Sequence, residues 1–319
     1  MMTPVEAIGR YVLQRRLGAG AFATVWLAHD PDLEVPVAVK VLADNWSADL
    51  DVRERFLAEA RMLRRISDDR VIRVHDIGRL QDGRPYFVMD YADGGTVADV
   101  LKQRPDPVTA LTIGAEAARG LQVLHDHGVV HRDVKPGNLL LTSRGDGSLA
   151  PRVLVADLGM AKALAESSGL TVTAGTPAYM APEQAQGMGG FDQRADVYAV
   201  AAVTYALLTG RPPFAHESGL ASIVTRSPTL AAPPLPIELN LPRDVDRVLA
   251  AALAHDRARR PASASQLANQ LEALRDRLVA AGAGPQPDEK WGTGALVALA
   301  LVTFLVFAAA TWGTMQLLG

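Results

Sequence analysis

The pattern of apolar residues changes character once, near residue 92, and this change constrains the fold more than any other feature. From Tyr11 to about Tyr91 there are short β-branched runs broken by Gly, Asp and Pro: Tyr11 to Leu17, Thr24 to Ala28, Pro36 to Leu42, Val71 to Ile77 and Tyr86 to Met89. Runs of this length and composition predict five strands. One interruption, Asp51 to Ile66, places Phe56, Leu57, Ala60 and Leu63 at helical spacing with charges on the other face, which predicts a single amphipathic helix. From about Thr96 helical periodicity takes over, notably in Val108 to His127, Gln193 to Leu208, Arg243 to His255 and Ala264 to Ala280. The expectation is a small β-rich lobe, about 11–91, followed by a larger helical lobe, about 92–280. With 49% hydrophobic residues the chain can fill such a core.

Composition removes several classes of function. A net charge of -3, from 32 basic and 35 acidic side chains, argues against a nucleic-acid partner. With no cysteine there is no disulfide framework, no Cys-based zinc site and no thiol nucleophile, so chemistry must use oxygen, nitrogen or a borrowed metal. Met1 to Arg10 lacks the basic and then apolar stretch of a secretory signal, so the N-terminus is expected in the cytosol. Residues 281–291, rich in Gly and Pro, suit a linker. After them, 292–318 carries no ionisable side chain and is long enough to cross a bilayer as one helix, with Trp291 and Trp312 near its ends. A buried soluble helix is the alternative. The expectation is a single-pass membrane protein with a cytoplasmic catalytic domain and no extracellular sensor domain. Lys290 beside Asp288 and Glu289 says little about orientation, which rests on the missing signal.

Four segments carry chemistry. Leu17-Gly18-Ala19-Gly20-Ala21-Phe22-Ala23-Thr24-Val25 lies between two predicted strands, and its glycines let backbone N–H groups approach phosphates, although a hairpin turn alone would explain them. Val37-Ala38-Val39-Lys40 puts one lysine on an apolar strand, either at an edge or aimed into a cleft. Glu59 in the amphipathic helix, flanked by Phe56 and Leu63, is the carboxylate best placed to hold it, with Glu54 the competing choice. His131-Arg132-Asp133-Val134-Lys135-Pro136-Gly137-Asn138 is the most specific signal. Asp157-Leu158-Gly159 follows the apolar run Val153 to Ala156 and is bland alone, but it supplies a carboxylate that the preceding segment lacks.

Together these segments resemble the catalytic machinery of bacterial Hanks-type (eukaryotic-like) serine/threonine protein kinases, over roughly residues 11–280. The resemblance implies a bilobal α+β kinase fold and ATP with Mg²⁺ as cofactors, Mn²⁺ being an alternative. It implies that Lys40, held by Glu59, grips the α- and β-phosphates. Asp133 orients the substrate hydroxyl and accepts its proton, Lys135 neutralises the moving phosphoryl group, and Asn138 and Asp157 hold the metal. Leu17, Gly18, Ala19, Gly20 and Val25 would cover the nucleotide, with Ala38 and Leu140 sandwiching the adenine. Met89 would be the gatekeeper before a hinge in which the Asp90 carbonyl and the Ala92 backbone read the adenine edge. Lysine at 135 is typical of the Ser/Thr branch. The chain departs from the family at Ala23, where a third glycine is usual, and at Leu158, usually Phe; Thr142 to Arg152 reads as a tolerated insertion.

The resemblance also marks 160–176 as an activation loop, with Thr171 and Thr173 as phosphorylation candidates that would pair with Arg132. Thr176 would brace Asp133 and Lys135, and His131 would brace the loop. Glu183 would pair with Arg260, and Asp196 would cap the catalytic-loop backbone. Partners implied are protein substrates carrying Ser or Thr, the membrane, and a second copy for trans-autophosphorylation. A nucleotide-binding scaffold without activity and a small-molecule phosphotransferase are the competing readings. The first is disfavoured by the presence of Lys40, Asp133, Asn138 and Asp157, the second by Ala181-Pro182-Glu183 and the helical segment Asp196 to Leu208.

Overall fold

A computed structural model describes residues 7–143, 152–159, 177–186, 190, 192–215, 220–225, 227 and 229–282. The first part is a six-stranded antiparallel sheet of β1 (Ala7–Ile8), β2 (Tyr11–Ala19), β3 (Ala23–Asp30), β4 (Val35–Leu42), β5 (Val74–Arg79) and β6 (Pro85–Asp90), in the order β1-β2-β3-β4-β6-β5. Alternation along the strands sorts their side chains onto two faces. Val37, Val39, Val41, Tyr86 and Val88 join Ile8 and Tyr11 in a small outer cluster. Ala38, Leu42, Phe87 and Met89 face the other way, into the main core with Phe56 and Leu63 of helix α1 (Leu50–Arg65). Lys40 lies between Val39 and Val41 in sequence, so the period of two places it on the inner face. Asp49 caps α1, its side chain accepting from the Val52 amide at 3.0 Å.

The second part is helical: α2 (Val97–Gln103), α3 (Pro107–Asp126), α4 (Pro182–Ala185), α5 (Arg194–Thr209), α6 (Leu220–Thr225), α7 (Arg243–Ala252) and α8 (Ala264–Ala280), with a hairpin of β7 (Leu139–Thr142) and β8 (Arg152–Val155). Every residue of α5 from Ala195 to Leu208 is buried, as an all-round apolar sequence requires. α3 packs against α5, α8 and β8. A Cβ on Gly120 would stand 2.6 Å from Val155 Cγ2, so glycine permits this close approach. Arg260, whose side chain is wholly buried, donates to both carboxylate oxygens of Glu183 at 2.6 and 2.8 Å and to three backbone carbonyls.

The elements follow the predicted ones with some differences. The short strand β1, the strand β8 and the short helices α2, α4 and α6 lie outside the expected runs. β5 begins at Val74 rather than Val71, because residues 70–72 instead hydrogen-bond to Val155 at the end of β8. α7 stops at Ala252, three residues before His255. The predicted insertion between Thr142 and Arg152, the activation loop 160–176 and the membrane span 292–318 lie wholly or mainly outside the described residues. Among the described residues no helix is long and apolar enough to cross a membrane.

Glu183→Ala leaves the Arg260 guanidinium buried without its counter-charge, and should lower the unfolding free energy by about 3 kcal/mol in urea titration. A loss below about 0.5 kcal/mol, the size of a surface substitution, would show that the backbone carbonyls alone satisfy Arg260.

Candidate active site

A cleft of about 880 Å³ is lined from above by β2, β3 and β4 and from below by residues 133–140 and 156–159. Leu17, Gly18, Ala19, Gly20, Val25, Ala38, Lys40, Glu59, Met89, Asp90, Ala92, Asp133, Lys135, Asn138, Leu140 and Asp157 all line it, so the structure brings together every predicted site residue that it describes. Thr171, Thr173 and Thr176 lie outside the described residues. In the sheet, Val25 pairs with Lys40 and Ala38 with Met89, which sets these four side by side at the roof and back of the cleft.

Lys40 is the electrostatic centre. Its Nζ donates to Glu59 Oε1 at 2.7 Å and also to Asp157 Oδ1, and it lies 5.3 Å from the Phe87 ring centroid. Burial opposes its charge, but Asp157 and Glu59 outweigh burial and hold the ammonium above its ordinary value. Burial also opposes the Asp157 charge, and Lys40 overcomes it, keeping that carboxyl low. One cation cannot serve two carboxylates equally. Burial pushes Glu59 up to about 7, against the pull of Lys40. Glu54, the competing choice for this pairing, is not among the groups that bond Lys40.

The second group lies on the segment His131 to Asn138. Asp133 Oδ2 accepts from Lys135 Nζ at 2.7 Å and from Asn138 Nδ2 at 3.1 Å, and the Asp133 carbonyl accepts from the same Asn138 nitrogen at 2.8 Å. The short turn Pro136–Asn138 folds Asn138 back to make this contact. The two segments touch at Gly159, where a Cβ would stand 2.8 Å from Asp133 Cβ. Only glycine lets residues 157–159 pack so close. Arg132 at φ 71° and Asp157 at φ 59° both occupy the left-handed region, which costs a non-glycine residue about 1–3 kcal/mol.

This strain is held by buried hydrogen bonds. Asp196 of α5 accepts from the amides of His131 at 2.8 Å and Arg132 at 3.0 Å, capping the loop backbone as expected. His131 braces the same loop: its Nε2 donates to the Ala156 carbonyl at 2.9 Å, and its Nδ1 accepts from the Asp133 amide at 3.3 Å. Two residues escaped sequence reasoning. His125, on α3, donates to Asp196 Oδ2 at 2.8 Å with its side chain buried, a contact across 71 residues with no local signature. Trp46, in the turn Asp44–Trp46 before α1, donates through Nε1 to the Ala21 carbonyl at 2.8 Å. A lone Trp ahead of an amphipathic helix was the sole available signal.

Comparison with known proteins agrees with this geometry. The protein kinase domain family matches residues 11–271. The serine/threonine-protein kinase PknJ of Mycobacterium tuberculosis is 39% identical over 270 residues, which is 82% of this chain and 45% of PknJ. The DNA damage-responsive serine/threonine-protein kinase RqkA of Deinococcus radiodurans is 40% identical over 268 residues, 82% of this chain and 39% of RqkA. The chain thus spans less than half the length of these relatives. Among solved structures, the Mycobacterium tuberculosis PknI kinase domain superposes with a TM-score of 0.64 at 30% identity, covering 86% of this chain and 100% of that one. With a β-sheet lobe, a helical lobe and the site between them, the chain belongs to the protein kinase domain family.

Proposed function

We propose that this chain is an ATP-dependent serine/threonine protein kinase, acting first on its own activation loop. The observation that carries this reading is the convergence of two charged groups on one cleft, Lys40 with Glu59 and Asp157, and Asp133 with Lys135 and Asn138. The names of PknJ and RqkA support the Ser/Thr class.

Each residue has a definite task in such a transfer. Lys40, kept protonated, offers a fixed cation to the α- and β-phosphates. Asp133 accepts a hydrogen bond from the substrate hydroxyl and takes its proton as the oxygen–phosphorus bond to the γ-phosphorus forms and the bond to the β-phosphate oxygen breaks. Lys135 lies beside Asp133, where it offsets charge on the moving phosphoryl group. The adenine would be sandwiched by Ala38 and Leu140 and read by the backbone of Asp90 and Ala92. The donor set suits Mg²⁺ or Mn²⁺: the Asn138 nitrogen is committed to Asp133, leaving its amide oxygen for an external partner, and Asp157 adds a carboxylate in the same cleft. A bound cation would neutralise charge on the phosphate oxygens.

The wider reading has three further parts. Thr171 and Thr173 are the proposed phosphorylation sites, and a phosphate there would pair with Arg132. The uncharged run 292–318 is proposed as a single-pass anchor with the kinase domain on the cytoplasmic side. A second copy on the same membrane would raise the effective concentration for phosphorylation in trans.

Mass spectrometry after incubation with Mg-ATP should find phosphate on Thr171 or Thr173 in the full chain and none in Lys40→Met or Asp133→Asn; equal labelling of Asp133→Asn would sink the proposal. In steady state, Asp133→Asn should lower kcat by about 10²-fold or more with little change in the KM for ATP. Ala23→Gly should alter nucleotide affinity little. A further expectation concerns pH. Glu59 is raised from 4.5 to about 7 in the folded nucleotide-free chain, so between these values the native state holds a proton that the unfolded state has released. Its contribution to stability is full below 4.5 and lost as pH rises through 7. Glu59→Gln lacks this loss, so its stability relative to the parent should improve between about pH 5 and pH 8, read by urea denaturation at each pH. A difference that stays constant with pH would mean that Glu59 is already ionised at the lower end.

A further inference from the structure

The loop Gly18–Ala23 is held from outside the cleft by contacts that the catalytic reading does not use. Trp46 Nε1 donates to the Ala21 carbonyl at 2.8 Å. The indole also stacks on Phe22, with ring centroids 5.1 Å apart and planes inclined by 21°. The Ala43 amide donates to the Phe22 carbonyl at 2.9 Å, and inside the turn the Gly20 amide donates to the Ala23 carbonyl at 2.8 Å. In a trans peptide the carbonyl and the N–H point in opposite directions. Turning the Ala21 carbonyl toward Trp46 therefore turns the Phe22 N–H away from it, and turning the Phe22 carbonyl toward Ala43 does the same for the Ala23 N–H. Ala21, Phe22 and Ala23 all line the cleft. The Phe22 N–H, directed away from Trp46 in a residue that lines the cleft, is the group placed to meet an anion there.

Trp46 is also fixed to the helix that carries Glu59. Its neighbour Ser47 accepts through its carbonyl from Arg53 Nη1 at 3.1 Å, and Arg53 Nη2 donates to the Gly83 carbonyl at 3.0 Å. We propose that Trp46 is a positioning residue for the nucleotide phosphates: its indole holds the Ala21–Phe22 peptide with its N–H facing the cleft and ties the loop to the start of α1. The proposal rests on the nucleotide-binding reading above. It predicts discrimination by phosphate, because the adenine pocket is built from other residues.

The test is calorimetric binding of adenosine and of Mg-ATP to the full chain and to Trp46→Phe, Trp46→Leu and Phe22→Leu. Trp46→Phe keeps the stack but loses the indole hydrogen bond and should bind Mg-ATP about threefold more weakly; Trp46→Leu loses both and should lose about tenfold. Phe22→Leu should fall between, and adenosine affinity should stay within twofold of the parent throughout, by the same magnitudes. Equal losses for adenosine and ATP would mark Trp46 as merely structural and overturn the proposal, as would unchanged ATP affinity in Trp46→Leu. If the parent chain binds neither ligand, the nucleotide reading itself falls, and this inference falls with it.

Discussion

The candidate site depends on a single buried carboxylate. Asp196, on a helix buried from Ala195 to Leu208, accepts the amides of His131 and Arg132 and a hydrogen bond from His125. A carboxylate in that setting is tolerable only because its lone pairs are satisfied. In return it holds Arg132 in a left-handed conformation, and that conformation directs Asp133 toward the cleft. The segment His131 to Asn138 is thus referenced to a buried helix of the helical lobe rather than to its neighbours in sequence.

A second constraint joins the two lobes. Lys40 comes from the sheet, Glu59 from α1 and Asp157 from the segment after β8, so one ammonium fixes three elements at once. The charges do not balance, and Glu59 carries the excess because it is the more deeply buried of the two carboxylates. Ligands that bring their own cation would relieve Asp157 and leave Lys40 to Glu59. The resting cluster is therefore sensitive to whatever enters the cleft.

Legibility followed sequence distance. Asp133, Lys135 and Asn138 lie within six residues and were assigned through the family resemblance of that segment, while the hydrogen bonds of Lys135 and Asn138 to Asp133 came with the folded turn. Lys40 read either as an edge lysine or as one aimed into a cleft, and the two buried clusters decided for the inner face; Glu59 was favoured over Glu54 by its spacing against Phe56 and Leu63, and its bond to Lys40 agrees. The Glu183–Arg260 pair and the Asp196 cap were legible through family resemblance, since nothing in the chain itself links residues 77 or 65 positions apart. His125 and Trp46 had neither route: a His inside an amphipathic helix and a Trp in a connecting turn look like packing residues until the partner surface is known.

The order of lobes and the runs that form strands and helices were determined by the sequence alone, because alternation and helical spacing are local properties of the chain, and the acids, bases and amide of the cleft were named through the family resemblance of their motifs. The tertiary structure alone decided that Lys40 would be shared between Glu59 and Asp157, that Gly159 would press against Asp133, and that Trp46 would grip the glycine-rich loop. Those outcomes require two or three segments to arrive at one point with their side chains already desolvated. Desolvation and Coulomb attraction at short range depend on distances through space that no spacing along the chain encodes.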